Sequence, residues 1–190
     1  MDYNQFLETK RKAHIPSGFD VDEKDLPDIL FGFQKFVIKR SLNHGKFGVF
    51  SGTGTGKTLL QVSWAHEVKK HTNKPVLILA PLAVSGQTIK MAKDKLGIDV
   101  FKFDTGTGFF NADIENEVRS GIYITNYEQL DNIEELIPYF GGIALDEASI
   151  LKNHEGAYRN KIIDLFKKTP YKSVFTATPS PNDPMEIGNY

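Results

Sequence analysis

The sequence predicts an α/β fold, a mainly parallel β-sheet with helices on both faces, and three observations carry the prediction. Apolar runs of strand length, without polar alternation, recur at residues 47–50, 76–80, 100–103, 122–125, 143–145 and 173–176. Segments of helical length separate most of them. A strand covered on both faces reads as an unbroken apolar run, and parallel neighbours need a crossover long enough to hold a helix. The third observation is the turn Ser51-Gly52-Thr53-Gly54-Thr55-Gly56-Lys57-Thr58, placed where a strand-like run passes into a helix-like one.

Taken in order, residues 1–25 are polar and charged and are broken at Pro16-Ser17-Gly18, so they read as an N-terminal extension holding a short helix and a loop. Residues 26–43 place Leu26, Ile29, Leu30, Phe33, Val37 and Leu42 at mostly helical spacing, which predicts a helix with one face on the core. The aromatic residues of 31–36 and Trp64 read as core side chains rather than base-stacking platforms. Residues 58–70 carry Leu59, Val62, Ala65 and Val68 on one side, and residues 86–96 and 158–166 follow the same rule. Thr105-Gly106-Thr107-Gly108 echoes the glycine-rich turn, but Phe109-Phe110 follow it where Lys-Thr would be needed, so it reads as a surface loop. No long repeat or linker divides the remainder, and residues 26–190 form one domain.

The chemistry begins at the glycine-rich turn. Gly52, Gly54 and Gly56 let the backbone turn with positive φ and bring N–H groups close to phosphate oxygens. Thr53 and Thr55 complete the cradle, Lys57 reaches the β and γ phosphates, and the Thr58 hydroxyl is placed to ligand Mg²⁺. The helix starting there adds its positive dipole end. The strict pattern asks for glycine at position 51, where this chain has serine. The turn makes ATP the expected cofactor, with Mg²⁺. Far along the chain, Ile143-Ala144-Leu145 is a buried-strand pattern ending in Asp146-Glu147. Asp146 is suited to hold Mg²⁺ through its water shell. Glu147 is suited to take the proton from the water that attacks the γ phosphate.

Composition limits the alternatives. In 190 residues, 23 Lys and Arg face 24 Asp and Glu for a net charge of −1, so any nucleic-acid contact must be local rather than driven by an overall positive field. The chain has no cysteine, which excludes disulfides, thiolate metal sites and thiol catalysis. Its five histidines show no paired spacing suited to a metal. The longest apolar run, 76–84, is interrupted by Pro81 and is about half the ~20 residues of a membrane span. With no secretion-signal pattern at the N-terminus, the expected setting is the cytoplasm, without membrane attachment.

The motifs resemble those of superfamily 2 helicases and translocases, in the chromatin-remodeller-like branch. Asp146-Glu147-Ala148-Ser149-Ile150-Leu151-Lys152-Asn153 is similar to that branch's Asp-Glu-Ala-His-x-x-Lys-Asn, with Ser149 in the histidine's place. The resemblance implies a RecA-like P-loop lobe and a set of roles along the chain. Gln34 would read the adenine edge. Pro81, Leu82 and Ser85, after the second strand, would meet a nucleic-acid phosphate, although Ser85 reads first as the N-cap of the following helix. Thr125 and Asn126, in Tyr123-Ile124-Thr125-Asn126-Tyr127-Glu128, would make the next backbone contact, and Thr125-x-x-Glu128 also reads as a capping box. Thr176 and Thr178, in Thr176-Ala177-Thr178-Pro179, would couple the γ-phosphate state to lobe closure, with Ser149 as their counterpart. Residues 179–190, with Asn182, Asp183 and Glu186, are similar to bacteriophage-encoded members, which would place the protein in a host-cell cytoplasm.

Such enzymes close two RecA-like lobes over one ATP, and the second lobe supplies arginines to the transferring phosphate. Arg11, Arg40, Arg119 and Arg159 fall in none of those later motifs. The expectation is therefore a front lobe only, weakly active alone and completed by a second lobe in cis or in trans. DNA is the expected partner, through sequence-independent backbone contact, with RNA left open. A non-motor P-loop NTPase, or a free-standing single lobe that uses ATP as a structural ligand, are the alternative classes.

Overall fold

The computed structural model describes residues 16–103, 121–147 and 156–178. Six parallel strands form one sheet: β1 Lys46–Phe50, β2 Val76–Leu79, β3 Val100–Lys102, β4 Ile122–Thr125, β5 Gly142–Asp146 and β6 Tyr171–Thr176, in the order β1-β6-β5-β2-β4-β3. Each predicted apolar run is a strand, with ends moved by two residues at most. Because every strand runs the same way, all carboxyl ends lie on one edge, where ligands bind in open α/β sheets.

Alternation along the central strands assigns the two layers. Val76 and Ile78 point into one cluster with Ile38, Leu42, Leu60, Trp64 and Phe175, beneath helices α1 Gly32–His44, α2 Lys57–Thr72 and α3 Leu82–Met91. Leu77 and Leu79 point the other way, against Tyr127, Leu130 and Ile133 around the short helix α4 Leu130–Ile133, and against Ile162 and Phe166 at and beyond α5 Gly156–Leu165. Trp64 is buried as predicted, edge-on to Phe175 with ring centroids 6.5 Å apart. A buried serine pair fastens the layers near the sheet edge. The Ser41 hydroxyl of α1 lies 3.2 Å from that of Ser173, which donates to the Phe47 carbonyl at 3.1 Å.

Two expectations about α1 are corrected. The helix starts at Gly32 rather than Leu26, because residues 26–31 form turns with Leu26 and Leu30 buried beneath them. Its core face is Gln34, Ile38, Ser41 and Leu42, while Phe31, Phe33 and Phe36 are 68%, 53% and 64% exposed, so the aromatic residues of 31–36 are surface, not core. Helical spacing identified a stripe, but the polar Gln34 and Ser41 occupy the inner one. Before α1, Phe19 stacks on His71 at 3.8 Å and meets Tyr171 edge-on, which pins residues near 19 to the amino-terminal side of the sheet. Among the described residues no helix is long and apolar enough to cross a membrane. The predicted loop at 105–108 lies outside the described residues.

Candidate nucleotide site at the carboxyl edge of the sheet

The glycine-rich turn joins β1 to α2, as its sequence context predicts. Gly54 and Gly56 have φ of 77° and 80°, the left-handed region that side chains disfavour. Around Gly52 and Gly54 there is open space, whereas a Cβ on Gly56 would collide with Gln34 Nε2. The first helical amides, at Lys57, Thr58 and Leu59, have no carbonyl a turn earlier to bond, and the first intrahelical bond runs from Leu60 N–H to Gly56 at 3.1 Å. A concave run of backbone with unpaired donors and no Cβ in its way fits a polyphosphate.

Side chains hold this loop in shape. Thr55 donates to the Gly52 carbonyl at 2.9 Å, and the Ser51 hydroxyl lies 3.0 Å from Thr55 Oγ1, so the serine at the position of the expected glycine braces the loop from inside. Lys57 donates to the Ser51 and Gly52 carbonyls at 3.0 and 2.7 Å, which folds its ammonium across the mouth of the cradle. Gln34 is 3% exposed. Its Oε1 accepts from Phe31 N–H and its Nε2 donates to the Thr55 carbonyl, both at 2.9 Å. The side-chain amide thus ties the start of α1 to the loop and keeps one lone pair and one N–H for a further partner.

The acidic tip faces this cradle across a single strand. β6 lies between β1 and β5, with Phe50 opposite Thr176 and Asp146 opposite Phe175. Two strand spacings of ~4.8 Å put the two tips about 10 Å apart, the span of a triphosphate with its metal. Burial, and then the Glu147 carboxylate, push Asp146 up to about 6, while the Lys57 ammonium pulls it the other way. A half-buried carboxylate held against a like charge is a place where a divalent cation is favoured.

Glu147 sits at φ 49°, left-handed for a non-glycine residue, at a cost on the order of 1 kcal/mol. Its N–H donates to the Phe175 carbonyl at 2.9 Å, and its Oε1 lies 3.3 Å from Thr176 Oγ1 and 3.4 Å from Thr178 Oγ1. The threonine pair therefore answers the acidic tip directly. Ser149, its expected counterpart, lies outside the described residues, as do Lys152, Asn153 and residues 179–190.

The residues expected to meet nucleic acid take other positions than their hydroxyls suggested. Pro81 is the N-cap of α3, so Ser85 is not; it is buried inside the helix, its hydroxyl turned back to the Pro81 carbonyl at 3.5 Å. Leu82 is 61% exposed beside it. Thr125 makes no capping box with Glu128, because its buried hydroxyl donates to the Phe103 carbonyl at 3.2 Å and Asn126 takes the N-cap position. The sequence reading also passed over Tyr127, whose hydroxyl donates to the Asp146 carbonyl at 2.7 Å. A bulky buried tyrosine just past a strand end, needing a partner for its hydroxyl, was the available signal. Among the described residues no group of three or more His, Cys, Asp and Glu side chains forms a ready metal cluster.

Solved structures share this architecture. The UvsW helicase from bacteriophage T4 superposes with a TM-score of 0.67 at 16% identity, over 100% of this chain and 65% of that one. The Sulfolobus solfataricus SWI2/SNF2 ATPase core, solved in complex with dsDNA, gives 0.68 at 20% identity over 89% and 36%. The Pyrococcus furiosus Hef helicase domain gives 0.62 at 19% over 83% and 35%. At these identities the likeness establishes the fold, a RecA-like lobe, and the chain spans between 35% and 65% of the length of those chains. Comparison with curated protein sequences gives no match. The family profile described as "Type III restriction enzyme, res subunit" matches residues 29–181. Since that match begins before Gln34, ends beyond Thr178 and takes in every element of the site between them, the chain belongs to the type III restriction enzyme res subunit family.

Proposed function

We propose that this chain is the ATP-binding front lobe of a nucleic-acid-dependent ATPase of helicase or translocase type, which couples ATP hydrolysis to movement on DNA. The observation that carries the reading is the convergence of cradle and acidic tip on either side of β6, with Lys57 close enough to act on the ionisation of Asp146. Bound ATP-Mg would supply the transferable phosphoryl group and its countercharge. Lys57 would exchange its carbonyl partners for phosphate oxygens, and Thr58 and Asp146 would hold the metal, Asp146 through water. Glu147 would take the proton of the attacking water, and Gln34 would offer its remaining lone pair and N–H to the adenine edge. Thr176 and Thr178 hold the Glu147 carboxylate and report its state to the rest of the lobe, with Ser149 on the same path.

In this reading residues 26–190 are the first lobe, residues 1–25 precede it, and a second RecA-like lobe, in cis or in trans, closes the site. The described arginine side chain, Arg40, lies in α1 and away from the strand tips, so the charge that stabilises the transferring phosphate comes from that second lobe. The solved SWI2/SNF2 core binds dsDNA; by analogy the strand-end segments at 81–85 and 125–126 track a nucleic-acid backbone here, through main chain and exposed surface rather than through the buried Ser85 and Thr125 hydroxyls.

Calorimetry with ATP-Mg tests the cradle: Lys57→Ala should weaken affinity by about ten- to a hundredfold, the worth of charged hydrogen bonds to phosphate. Wild-type affinity in that variant would remove the loop from the mechanism. With the second lobe present, Glu147→Gln should bind ATP and not turn it over, and DNA affinity should fall steeply with added salt. Absence of DNA and RNA binding even at low salt would defeat the motor reading.

A further inference from the structure

Tyr127 has no role in the site as drawn so far, yet it touches the hydrolytic tip. It follows Asn126 at the carboxyl end of β4, and β2 separates β4 from β5. The buried ring packs with Leu79 in the second core cluster, over the end of that intervening strand. Its hydroxyl donates to the carbonyl oxygen of Asp146 at 2.7 Å. That carbonyl is one half of the Asp146–Glu147 peptide. The other half, the Glu147 N–H, donates to the Phe175 carbonyl of β6 at 2.9 Å. The peptide plane that carries Glu147 into the site is thus gripped from both sides, by the β4 end and by β6.

The grip matters because of the conformation it holds. Glu147 is left-handed at φ 49°, and a residue in that region persists only where its surroundings over-determine it. Its carboxylate meets the Thr176 and Thr178 hydroxyls at 3.3 and 3.4 Å, longer than either backbone bond. If the peptide turned, the carboxylate would leave the threonines and swing relative to Asp146. The two backbone bonds, one of them from Tyr127, are the shorter and stiffer part of the arrangement.

The β4 end also holds unspent polar capacity. Asn126 Oδ1 is buried and has no hydrogen-bond partner among the described residues, an arrangement that costs free energy until a donor arrives. Asn126 adjoins Tyr127, so a donor that draws in the Asn126 side chain bears on the backbone from which Tyr127 reaches the peptide.

We propose that Tyr127 is a positioning residue of the hydrolytic centre: from the end of β4 its hydroxyl clamps the Asp146–Glu147 peptide, fixing the Glu147 carboxylate and passing to it the state of the strand end at Thr125 and Asn126. The proposal rests on the reading of Glu147 as the group that activates water. Chemically Tyr127 does nothing to the substrate. It sets the fraction of time in which the base is in place, and it gives contact at the strand end a short path to the rate, across β2 rather than through lobe closure.

The test is Tyr127→Phe, which keeps the buried ring and removes one oxygen. In the nucleotide-free chain, amide hydrogen exchange followed by NMR should show the Glu147 N–H exchanging about tenfold faster, the effect of one lost hydrogen bond, with Ile143, Ala144 and Leu145 unchanged. With the second lobe present, kcat should fall about tenfold at unchanged ATP affinity, and stimulation by duplex DNA should shrink. Unchanged exchange at Glu147, or faster exchange along all of β5 with a matching loss of ATP affinity, would overturn the clamp, the latter by showing a merely structural tyrosine. Glu147→Gln, run alongside, separates the two ideas. If it keeps turnover, the reading of Glu147 fails, while the exchange result still judges the clamp. If it is inactive and Tyr127→Phe matches wild type in exchange and rate, the clamp alone is refuted.

Discussion

Asp146→Asn should make the nucleotide-free protein more stable while removing its capacity for ATP-Mg. Burial and the adjacent Glu147 carboxylate push Asp146 up to about 6 from its ordinary 3.8. Between those two pH values the folded state binds more protons than the unfolded state, so stability falls as pH rises. The stabilising share is complete below about 4 and is lost above about 6. The gap of roughly two pH units corresponds to about 3 kcal/mol at ~1.4 kcal/mol per unit. The tip keeps some contact with water, which brings the expected gain from a neutral carboxamide to about 1–2 kcal/mol. For a domain of this size that is a rise in Tm of about 2–8 °C. Thermal melts of both proteins with a metal chelator should show this gap at pH 7.5 and little of it at pH 4.5, where the wild-type carboxyl is protonated. Adding ATP-Mg at about a hundred times its Kd should reverse the order, since the wild type then gains about 2.7 kcal/mol that the variant cannot. A variant no more stable than wild type at pH 7.5, or an equal gap at both pH values, would refute the placement of a strained carboxylate at this tip.

Further outcomes follow from the geometry of the loop and core. Gly54→Ala and Gly56→Ala both force a side chain into positive φ, but only at Gly56 does the new Cβ meet Gln34; the first should cost about 1 kcal/mol, and the second appreciably more, together with loss of ATP binding, in urea titrations and calorimetry. Gln34→Ala removes the tie from α1 to the Thr55 carbonyl of the loop, together with the bond from Phe31 N–H that closes the start of the helix. It should lower ATP affinity several-fold and reduce discrimination between ATP and GTP in a competition assay. Trp64→Ala, at a nearly fully buried position packed on Phe175, should cost about 3–5 kcal/mol in chemical denaturation.

Legibility in the sequence followed physical range. The six strands and the cradle were readable because each is encoded locally, by an unbroken apolar run or by glycines where φ must be positive. Gly54 and Gly56 are left-handed where the motif requires it. The juxtaposition of Lys57 with Asp146 was inferable only through topology, since β6, supplied from much later in the chain, sets their spacing. Capping patterns misled at Ser85, whose hydroxyl turns back to the Pro81 carbonyl one turn earlier in its own helix, and at Thr125, where tertiary packing brings the Phe103 carbonyl within reach. The exposure of Phe31, Phe33 and Phe36 was hidden for the opposite reason: hydrophobicity argues for burial, and only Gln34 bonding to Thr55 shows which stripe of α1 turns inward. The left-handed Glu147 has no local signature, and Tyr127 offers only its place just past a strand end, with nothing to say that its hydroxyl reaches Asp146.

The sheet order also has a consequence for how the molecule comes into being. β1 is an edge strand whose sole neighbour in the described sheet is β6, and the Ser173 hydroxyl that reaches Phe47 spans 126 positions of sequence. During synthesis from the N-terminus, the glycine-rich turn therefore emerges early but hangs from a strand without a mate until residues 171–176 leave the ribosome. Nascent polypeptides halted short of that point should fail to retain ATP, and those halted just beyond it should capture it, so nucleotide acts as a late proofreader of folding rather than a seed for it.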